Sequence, residues 1–269
     1  MIEALIAFLF GLLIGSFLNV CIHRWPRGRS VVRPRSHCVR CRKMIPWYDN
    51  IPLLSYAILG GKCRYCGRHI SLRYPTVELL TAVLFFFFVA TYGVTLVAAK
   101  MCIFTAMLLG LLFSDLEKRI LPDQFTKGGT VIGLIFSLFV EVPDHAGQMI
   151  LWLLGVNVQG RWQWLAESAL GAGLPAFVLW GGGWLYLKFR NREGLGFGDV
   201  KLVAMVGSFL GLQGALLTLI LGSICGSVLG YGYIKATGKD TKTYELPFGT
   251  FLGAAGLAVA LAAQKLFTP

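Results

Sequence analysis

Two acidic residues stand where a carboxylate could do chemistry. Asp115 ends an apolar run, and Asp199 opens another directly after Gly196-Phe197-Gly198. The chain holds only 13 Asp and Glu residues, so acids at the edges of apolar runs are notable. Asp199 is well placed to cap a helix N-terminus, whereas Asp115 closes a run and is not. The residues alone leave a capping and a catalytic role equally open.

A pair of carboxylates that shares one proton is suited to peptide hydrolysis. One carboxylate can take a proton from water while the other donates a proton to the peptide carbonyl. Gly196 and Gly198 beside Asp199 would let an extended peptide backbone approach closely. The sequence shows no Ser-His-Asp set and no H-E-x-x-H, Walker or Rossmann motif. Aspartic peptide hydrolysis is therefore the chemistry that this pair predicts.

Four of the seven cysteines form two C-x2-C pairs, Cys38/Cys41 and Cys63/Cys66, with 21 residues between them. Two such pairs can supply four thiolates in tetrahedral geometry, as structural zinc requires. Gly67 follows the second pair and suits the tight turn of a zinc knuckle. Two disulfides are the alternative, but a cytoplasmic segment is reducing. The spacing predicts a structural zinc site.

The elements that carry these residues are apolar helices. Hydrophobic residues make up 56% of the chain, charged residues 14%, and the mean hydropathy is +0.67, which excludes disorder and an ordinary soluble surface. Eight runs are long enough, or nearly so, to span a membrane: 4–22, 77–92, 97–114, 128–142, 165–187, 200–213, 214–234 and 247–266. The predicted fold is an all-α polytopic membrane protein with about eight transmembrane helices and a cytoplasmic zinc-binding loop domain.

The distribution of charge predicts the orientation. Residues 23–74 carry 12 of the 25 Lys and Arg residues and one acid, Asp49, so the positive-inside rule places them in the cytoplasm and the N-terminus outside. Alternating helices then put Asp115 and Asp199 on the same, cytoplasmic face. The Trp-rich link 143–164 falls outside, with Trp152, Trp162 and Trp164 as expected interfacial anchors.

The net charge of +12 fits lipid headgroups and cytoplasmic loops better than nucleic acid. The arginines of the loop are spread along it and do not follow one helix face. We therefore expect membrane lipid as a partner and no nucleic acid.

Small residues predict close helix contacts. Glycines recur four residues apart at Gly11/Gly15, Gly207/Gly211 and Gly222/Gly226/Gly230. Since the chain has 33 glycines, their abundance alone is the other explanation. Cys21, Cys102 and Cys225 lie singly in apolar runs and are expected to be buried.

Several motifs together resemble one protein family. They are Gly15 to Arg24, the paired C-x2-C motifs, Trp47 to Pro52, Ser71 to Glu78, Asp115 to Asp123 with its Leu-Pro-Asp ending, Gly196 to Leu202 and Pro247-Phe248-Gly249. In combination they resemble the bifunctional type IV prepilin peptidases, which are leader peptidases and N-methyltransferases. Phe197 stands where that family often has Tyr.

The resemblance implies a function and its residues. It implies an inner-membrane aspartic protease that cuts the basic leader from type IV prepilins or type II secretion pseudopilins on the cytoplasmic side. The same enzyme would methylate the new N-terminus with S-adenosylmethionine. Asp115 and Asp199 match the catalytic aspartates and the four paired cysteines match the cysteine tetrad, whereas Asp123 does not match a catalytic position.

The methyl-donor site is not visible as a motif. A site built from residues 23–78 makes Gly61, Lys62 and Glu78 candidates. The predicted division of the chain is a first transmembrane helix at 1–22, a cytoplasmic zinc-binding loop at 23–76 and a seven-helix protease domain at 77–269. A non-enzymatic transporter subunit or zinc-organised scaffold is the alternative function, but it does not require two aspartates on one face.

Overall fold

The computed structural model describes residues 1–142, 144–156, 158–191, 196–237 and 246–267. Within them the chain forms nine α-helices: α1 (Ile2–Arg24), α2 (Leu54–Ile58), α3 (Arg73–Tyr92), α4 (Leu96–Lys118), α5 (Asp123–Phe136), α6 (His145–Leu153), α7 (Arg161–Arg190), α8 (Phe197–Thr237) and α9 (Phe248–Phe267). The only extended pairing in these ranges is two isolated β-bridges. Residues 192–195 and 238–245 of the predicted cytoplasmic links, and Pro143 and Asn157 of the Trp-rich link, lie outside the described ranges.

Each predicted apolar run overlaps a helix, although the run 128–142 extends six residues beyond the end of α5 at Phe136. Five helices of the described chain, α1, α3, α4, α7 and α8, are long and apolar enough to cross a membrane, and α9 contains a shorter apolar segment. The 41-residue α8 contains two of the predicted runs, and α5 has only 14 residues. The predicted all-α membrane fold is confirmed.

A break divides α8 at Gly211, where the sequence predicts a boundary between two helices. Gly211 has φ 73°, a left-handed conformation that favours glycine. A Cβ atom there would lie 2.5 Å from Cβ of Asp144. The helix restarts after the break, and its N–H groups at Leu212 and Gln213 donate to the buried Asp144 carboxylate at 2.6 and 3.2 Å. Asp144 therefore caps the second half of α8.

The Trp-rich segment, which was predicted as a link, contains a helix. It contains α6, and the same Asp144 carboxylate accepts a 3.1 Å hydrogen bond from the N–H of Gly147 in the first turn of that helix. Trp152 and Trp162 are exposed, at 73% and 60% of their surface. The sequence analysis missed α6 because a nine-residue apolar stretch is too short to read as a membrane span.

The helices pack within two compact units, residues 1–110 and 111–269. In the first unit, α1 lies against α3 so closely that a Cβ at Gly15 would approach the Cα of Glu78 to 2.6 Å. In the second, Gly207 of α8 meets Gly171 of α7 backbone to backbone. These contacts confirm the close approach predicted for Gly15 and Gly207. The predicted functional division at residue 76 is a different boundary and stays a prediction.

The expectation for the single cysteines is only partly right. Cys21 and Cys102 are buried, but Cys225 is exposed on α8. An apolar run that spans a membrane is hydrophobic on its outer face too, so hydrophobicity alone does not identify the buried side.

We predict that Gly207→Ala destabilises the second unit. The added methyl group would overlap the Gly171 carbonyl, and such overpacking costs about 1–3 kcal/mol. The measurement is the thermal unfolding midpoint of the purified protein in detergent. Gly173→Ala on α7 is the matched control, because open space surrounds that position. Equal midpoints for the two variants would contradict the close contact.

Candidate active site

Asp115 lies in the last turn of α4 with only 5% of its surface exposed. Its Oδ2 atom accepts two hydrogen bonds from Thr250, from the backbone N–H at 2.6 Å and from the hydroxyl at 2.9 Å. Thr250 is in the first turn of α9, so the carboxylate caps the N-terminus of that helix. Asp115 therefore does act as a helix cap, but it caps α9, which is distant in sequence, and not its own helix α4.

Asp199 is the third residue of α8 and is partly buried. Its own N–H donates to the carbonyl of Gly196 at 3.0 Å, which places the residue in the opening turn of the helix. The carboxyl groups of Asp199 and Asp115 are close enough to interact electrostatically. The structure thus brings together the two aspartates that are 84 residues apart in the chain.

A glycine lies beside each of the two carboxyl groups. A Cβ at Gly196 would lie 3.2 Å from Oδ2 of Asp199, and one at Gly249 would lie 3.1 Å from Cγ of Asp115. Any other residue at these two positions would place a Cβ atom against a carboxyl group. Glycine therefore keeps the carboxylates accessible from that side. The contact of Gly249 with Asp115 was not predicted from the sequence, because the two residues lie on different helices.

Asp123 is bound to the helix that carries Asp199 but has a different role. Its carboxylate forms ion pairs with Lys127 at 2.7 Å and Lys201 at 2.5 Å. Hydrogen bonds from these two lysines lower the pKa of Asp123 below its ordinary value. Because Lys201 lies two residues after Asp199, the ion pair joins the start of α5 to the first turn of α8. Asp123 is a structural partner of α8, in keeping with the prediction that it is not catalytic.

The paired cysteines form a second cluster, in the first unit. The sulfur atoms of Cys38, Cys41, Cys63 and Cys66 all lie within 4.8 Å of one another, and Cys38 Sγ is 3.9 Å from Cys66 Sγ. Zinc bound to four thiolates at about 2.3 Å holds its sulfurs at similar separations. The donor set therefore fits a tetrahedral metal ion.

Both cysteine pairs lie on the same kind of turn. The N–H of Arg42 donates to the carbonyl of Cys38, and the N–H of Gly67 donates to the carbonyl of Cys63, each at 2.9 Å. Gly67 has φ 65°, as its predicted role in a turn requires, and Arg42 adopts φ 59° at the equivalent place. The left-handed backbone conformation of Arg42 was not predicted from the sequence.

An ion pair adds a further contact within residues 23–76. Asp49 accepts two hydrogen bonds from the guanidinium of Arg64, at 2.6 and 2.7 Å. These bonds lower the pKa of the Asp49 carboxyl below its ordinary value. Because Arg64 directly follows Cys63, Asp49 joins the second cysteine pair to the segment 47–50.

The candidate methyl-donor residues have structural contacts. Glu78 is buried in α3, and its Oε2 atom accepts the N–H of Leu53 at 2.9 Å, just before α2. Gly61 faces the ring of Tyr56, whose hydroxyl would lie 2.8 Å from a Cβ at that position. Lys62 pairs with His69 in a β-bridge. Glu78 thus contacts the residue before α2, and Gly61 contacts Tyr56 within α2.

Comparison with known proteins decides the family. Residues 102–231, which include both aspartates, match the type IV leader peptidase family, and residues 9–92 match the bacterial peptidase A24 N-terminal domain. A prepilin leader peptidase/N-methyltransferase of Aeromonas salmonicida is 34% identical over 93% of this chain and 88% of its own length. The chain belongs to the type IV leader peptidase family.

Other relatives carry the same name. The prepilin leader peptidase/N-methyltransferase of Pseudomonas aeruginosa is 34% identical over 92% of this chain and 86% of its own length. That of Myxococcus xanthus is 40% identical over 88% of this chain, which spans 64% of the relative's length. No solved structure matches the chain. The family resemblance inferred from the sequence motifs is confirmed.

We predict that Thr250→Val loosens the contact between α4 and α9 in this family member. Valine has the shape of threonine without the hydroxyl, so Asp115 keeps the backbone hydrogen bond and loses the side-chain one. The loss of one such buried bond costs roughly 1–3 kcal/mol. Thermal unfolding in detergent measures the effect, and Thr250→Ser, which keeps the donor, should retain most of the stability. A valine variant as stable as wild type would show that the hydroxyl bond contributes nothing.

Proposed function

We propose that Asp115 and Asp199 are the catalytic pair of an aspartic peptidase that removes the leader from type IV prepilins or type II secretion pseudopilins. The observation that carries the proposal is that α4 and α8 bring two carboxyl groups near enough to interact, with Leu121 in contact with the backbone beside both of them. The family and the names of the relatives support the choice of substrate.

The mechanism needs one water molecule and one proton on the pair. The unprotonated carboxylate takes a proton from the water as its oxygen attacks the peptide carbonyl carbon, and the other carboxyl group donates its proton to the carbonyl oxygen. When this tetrahedral species collapses and the C–N bond breaks, the carboxyl group that took the water proton passes it to the leaving amine. The hydroxyl formed from the carbonyl oxygen returns its proton to the other carboxylate, which restores the pair. Thr250 holds Asp115 in place during these steps through its two hydrogen bonds.

Substrate and enzyme meet at the membrane boundary in this proposal. Lys118, Arg119 and Lys127 follow Asp115 closely in the chain, so the positive-inside rule puts the pair on the cytoplasmic side. The apolar helix of a prepilin would lie in the bilayer and bring its cleavage point to this depth. We accordingly place the protein in the bacterial inner membrane as a multi-pass protein in contact with lipid, with its N-terminus outside.

N-methylation of the new N-terminus is the second proposed activity. It is supported by the names of the relatives, and S-adenosylmethionine is the methyl donor that such a name implies. Gly61 and Glu78 have structural contacts with Tyr56 and Leu53, and we derive no step of methyl transfer from them. Gly61, Lys62 and Glu78 stay predictions for the donor site.

Zinc is the metal we propose for the cysteine cluster. Four thiolates would complete a tetrahedral shell and leave no position for water, so zinc would hold the shape of the loop and take no part in hydrolysis. The transporter subunit or scaffold considered as an alternative would explain the helices and the zinc cluster. It would not explain why a buried and a partly buried aspartate come together in a chain of the leader peptidase family, and it is not favoured.

We predict that Asp115→Asn and Asp199→Asn each abolish prepilin cleavage while the protein is still made and inserted. Asparagine keeps the shape of aspartate but cannot take up the water proton, so a loss of at least about a thousandfold is expected. The measurement is the mass of the prepilin N-terminus after co-expression.

Asp123→Asn is the matched control, because it makes the same change at an aspartate that is ion-paired with Lys127 and Lys201. It should retain cleavage activity, with a loss of stability only. Normal processing by either Asp115→Asn or Asp199→Asn would refute the catalytic assignment.

We predict about one zinc ion per chain, with Zn–S distances of about 2.3 Å, in protein purified under reducing conditions. Metal analysis and X-ray absorption measure the two quantities. Cys63→Ser should lose zinc, whereas Cys225→Ser, which changes a lone exposed cysteine, should keep it. Zinc-free reduced wild-type protein, or a peptidase activity that needs an open zinc site, would contradict the structural role.

A further inference from the structure

Leu121 is a side chain that projects into the glycine surroundings of the aspartate pair. Its Cδ1 atom lies 3.1 Å from the position of a Cβ at Gly198 and 3.0 Å from that of a Cβ at Gly249. Gly198 directly precedes Asp199, and a Cβ at Gly249 would lie 3.1 Å from the carboxyl group of Asp115. Leu121 therefore contacts backbone on both the Asp115 side and the Asp199 side.

The backbone on both sides of Leu121 is fixed. Before it, the N–H of Arg119 donates to the carbonyl of Asp115 at 2.7 Å. After it, Pro122 accepts the N–H groups of Phe125 and Thr126, each at 3.1 Å, and Asp123 is ion-paired with Lys201 at 2.5 Å. These contacts tie the segment to α4, α5 and α8. The isobutyl group of Leu121 is only half-buried, so part of its surface stays open beside the site.

A peptide bond that is to be cut must bring its carbonyl carbon to a water held between Asp115 and Asp199. Gly198 directly precedes Asp199 and Gly249 lies beside the Asp115 carboxyl, so the Cα of the residue that carries this carbonyl would come against these two glycines. A hydrogen atom at its Cα fits there, whereas a side chain would meet the isobutyl group of Leu121.

We propose that Leu121 is a specificity-determining residue that selects substrates with glycine immediately before the cleaved bond. This inference rests on the proposed peptidase function. Leu121 excludes larger side chains by occupying their space, and it has no part in the proton transfers. One carbon atom more or less in such a contact changes kcat/KM by about 10–200-fold.

The test measures kcat/KM for two prepilins that differ only in Gly or Ala before the cleaved bond. Wild-type enzyme should prefer the Gly substrate by at least about tenfold. Leu121→Ala should reduce that ratio by at least about fivefold, and Leu121→Val should give an intermediate ratio. The ratio is the readout because a general loss of stability would lower both rates alike.

Ile120→Ala is the matched control. It removes a similar apolar side chain from the same segment, and Ile120 is 45% exposed and is not among the nearest neighbours of Gly198 or Gly249. Its Gly-to-Ala ratio should equal that of wild type.

Three results would overturn the proposal. An unchanged ratio in Leu121→Ala and Leu121→Val would show that Leu121 only packs. Equal cleavage of both substrates by wild type would show that nothing excludes the methyl group. Inactivity of both Leu121 variants on both substrates would mean that Leu121 is needed for cleavage itself. Failure of the proposed function is seen separately, as cleavage that persists in Asp115→Asn or Asp199→Asn.

Discussion

The first N–H groups of a helix have no acceptor within that helix, and in the described residues buried carboxylates supply one twice. Asp144 accepts hydrogen bonds from Leu212 and Gln213, where α8 restarts after its break. Asp115 accepts hydrogen bonds from Thr250, where α9 begins. Both caps come from segments distant in sequence, so each fixes the start of one helix relative to another part of the second unit.

This constraint has a consequence for catalysis. A carboxylate that caps another helix has a fixed position and cannot turn freely towards lipid or solvent, whereas Asp199 is positioned by the first turn of its own helix. The two aspartates are therefore held by independent means on α4 and α8. Glycines at 196, 198 and 249 add no side chains of their own beside the pair, and Leu121 contacts the backbone at Gly198 and Gly249. Peptide hydrolysis needs oriented carboxyl groups and access for the substrate. The helix ends provide the first and the glycines provide the second.

The sequence predicts those features that depend on short patterns. Apolar runs place the helices, the glycine-rich stretch near Gly211 locates the break in α8, and the two C-x2-C pairs identify four sulfurs that the structure places together. Features that depend on distant partners were missed. Nothing near Thr250 indicates that it binds Asp115, and nothing near Leu121 indicates that it contacts Gly198 and Gly249. The helix α6 was missed because its apolar stretch is short.

The central claim is that Asp115 and Asp199 act together on one water molecule, and the coupling between the two residues tests it most directly. The measurement is kcat/KM for prepilin cleavage by wild type, Asp115→Asn, Asp199→Asn and the variant with both changes. Residues that work as one unit are strongly non-additive, so the account predicts that the double variant is no slower than the slower single variant. A double variant whose loss equals the product of the two single losses would show that the aspartates act independently, and would contradict the account.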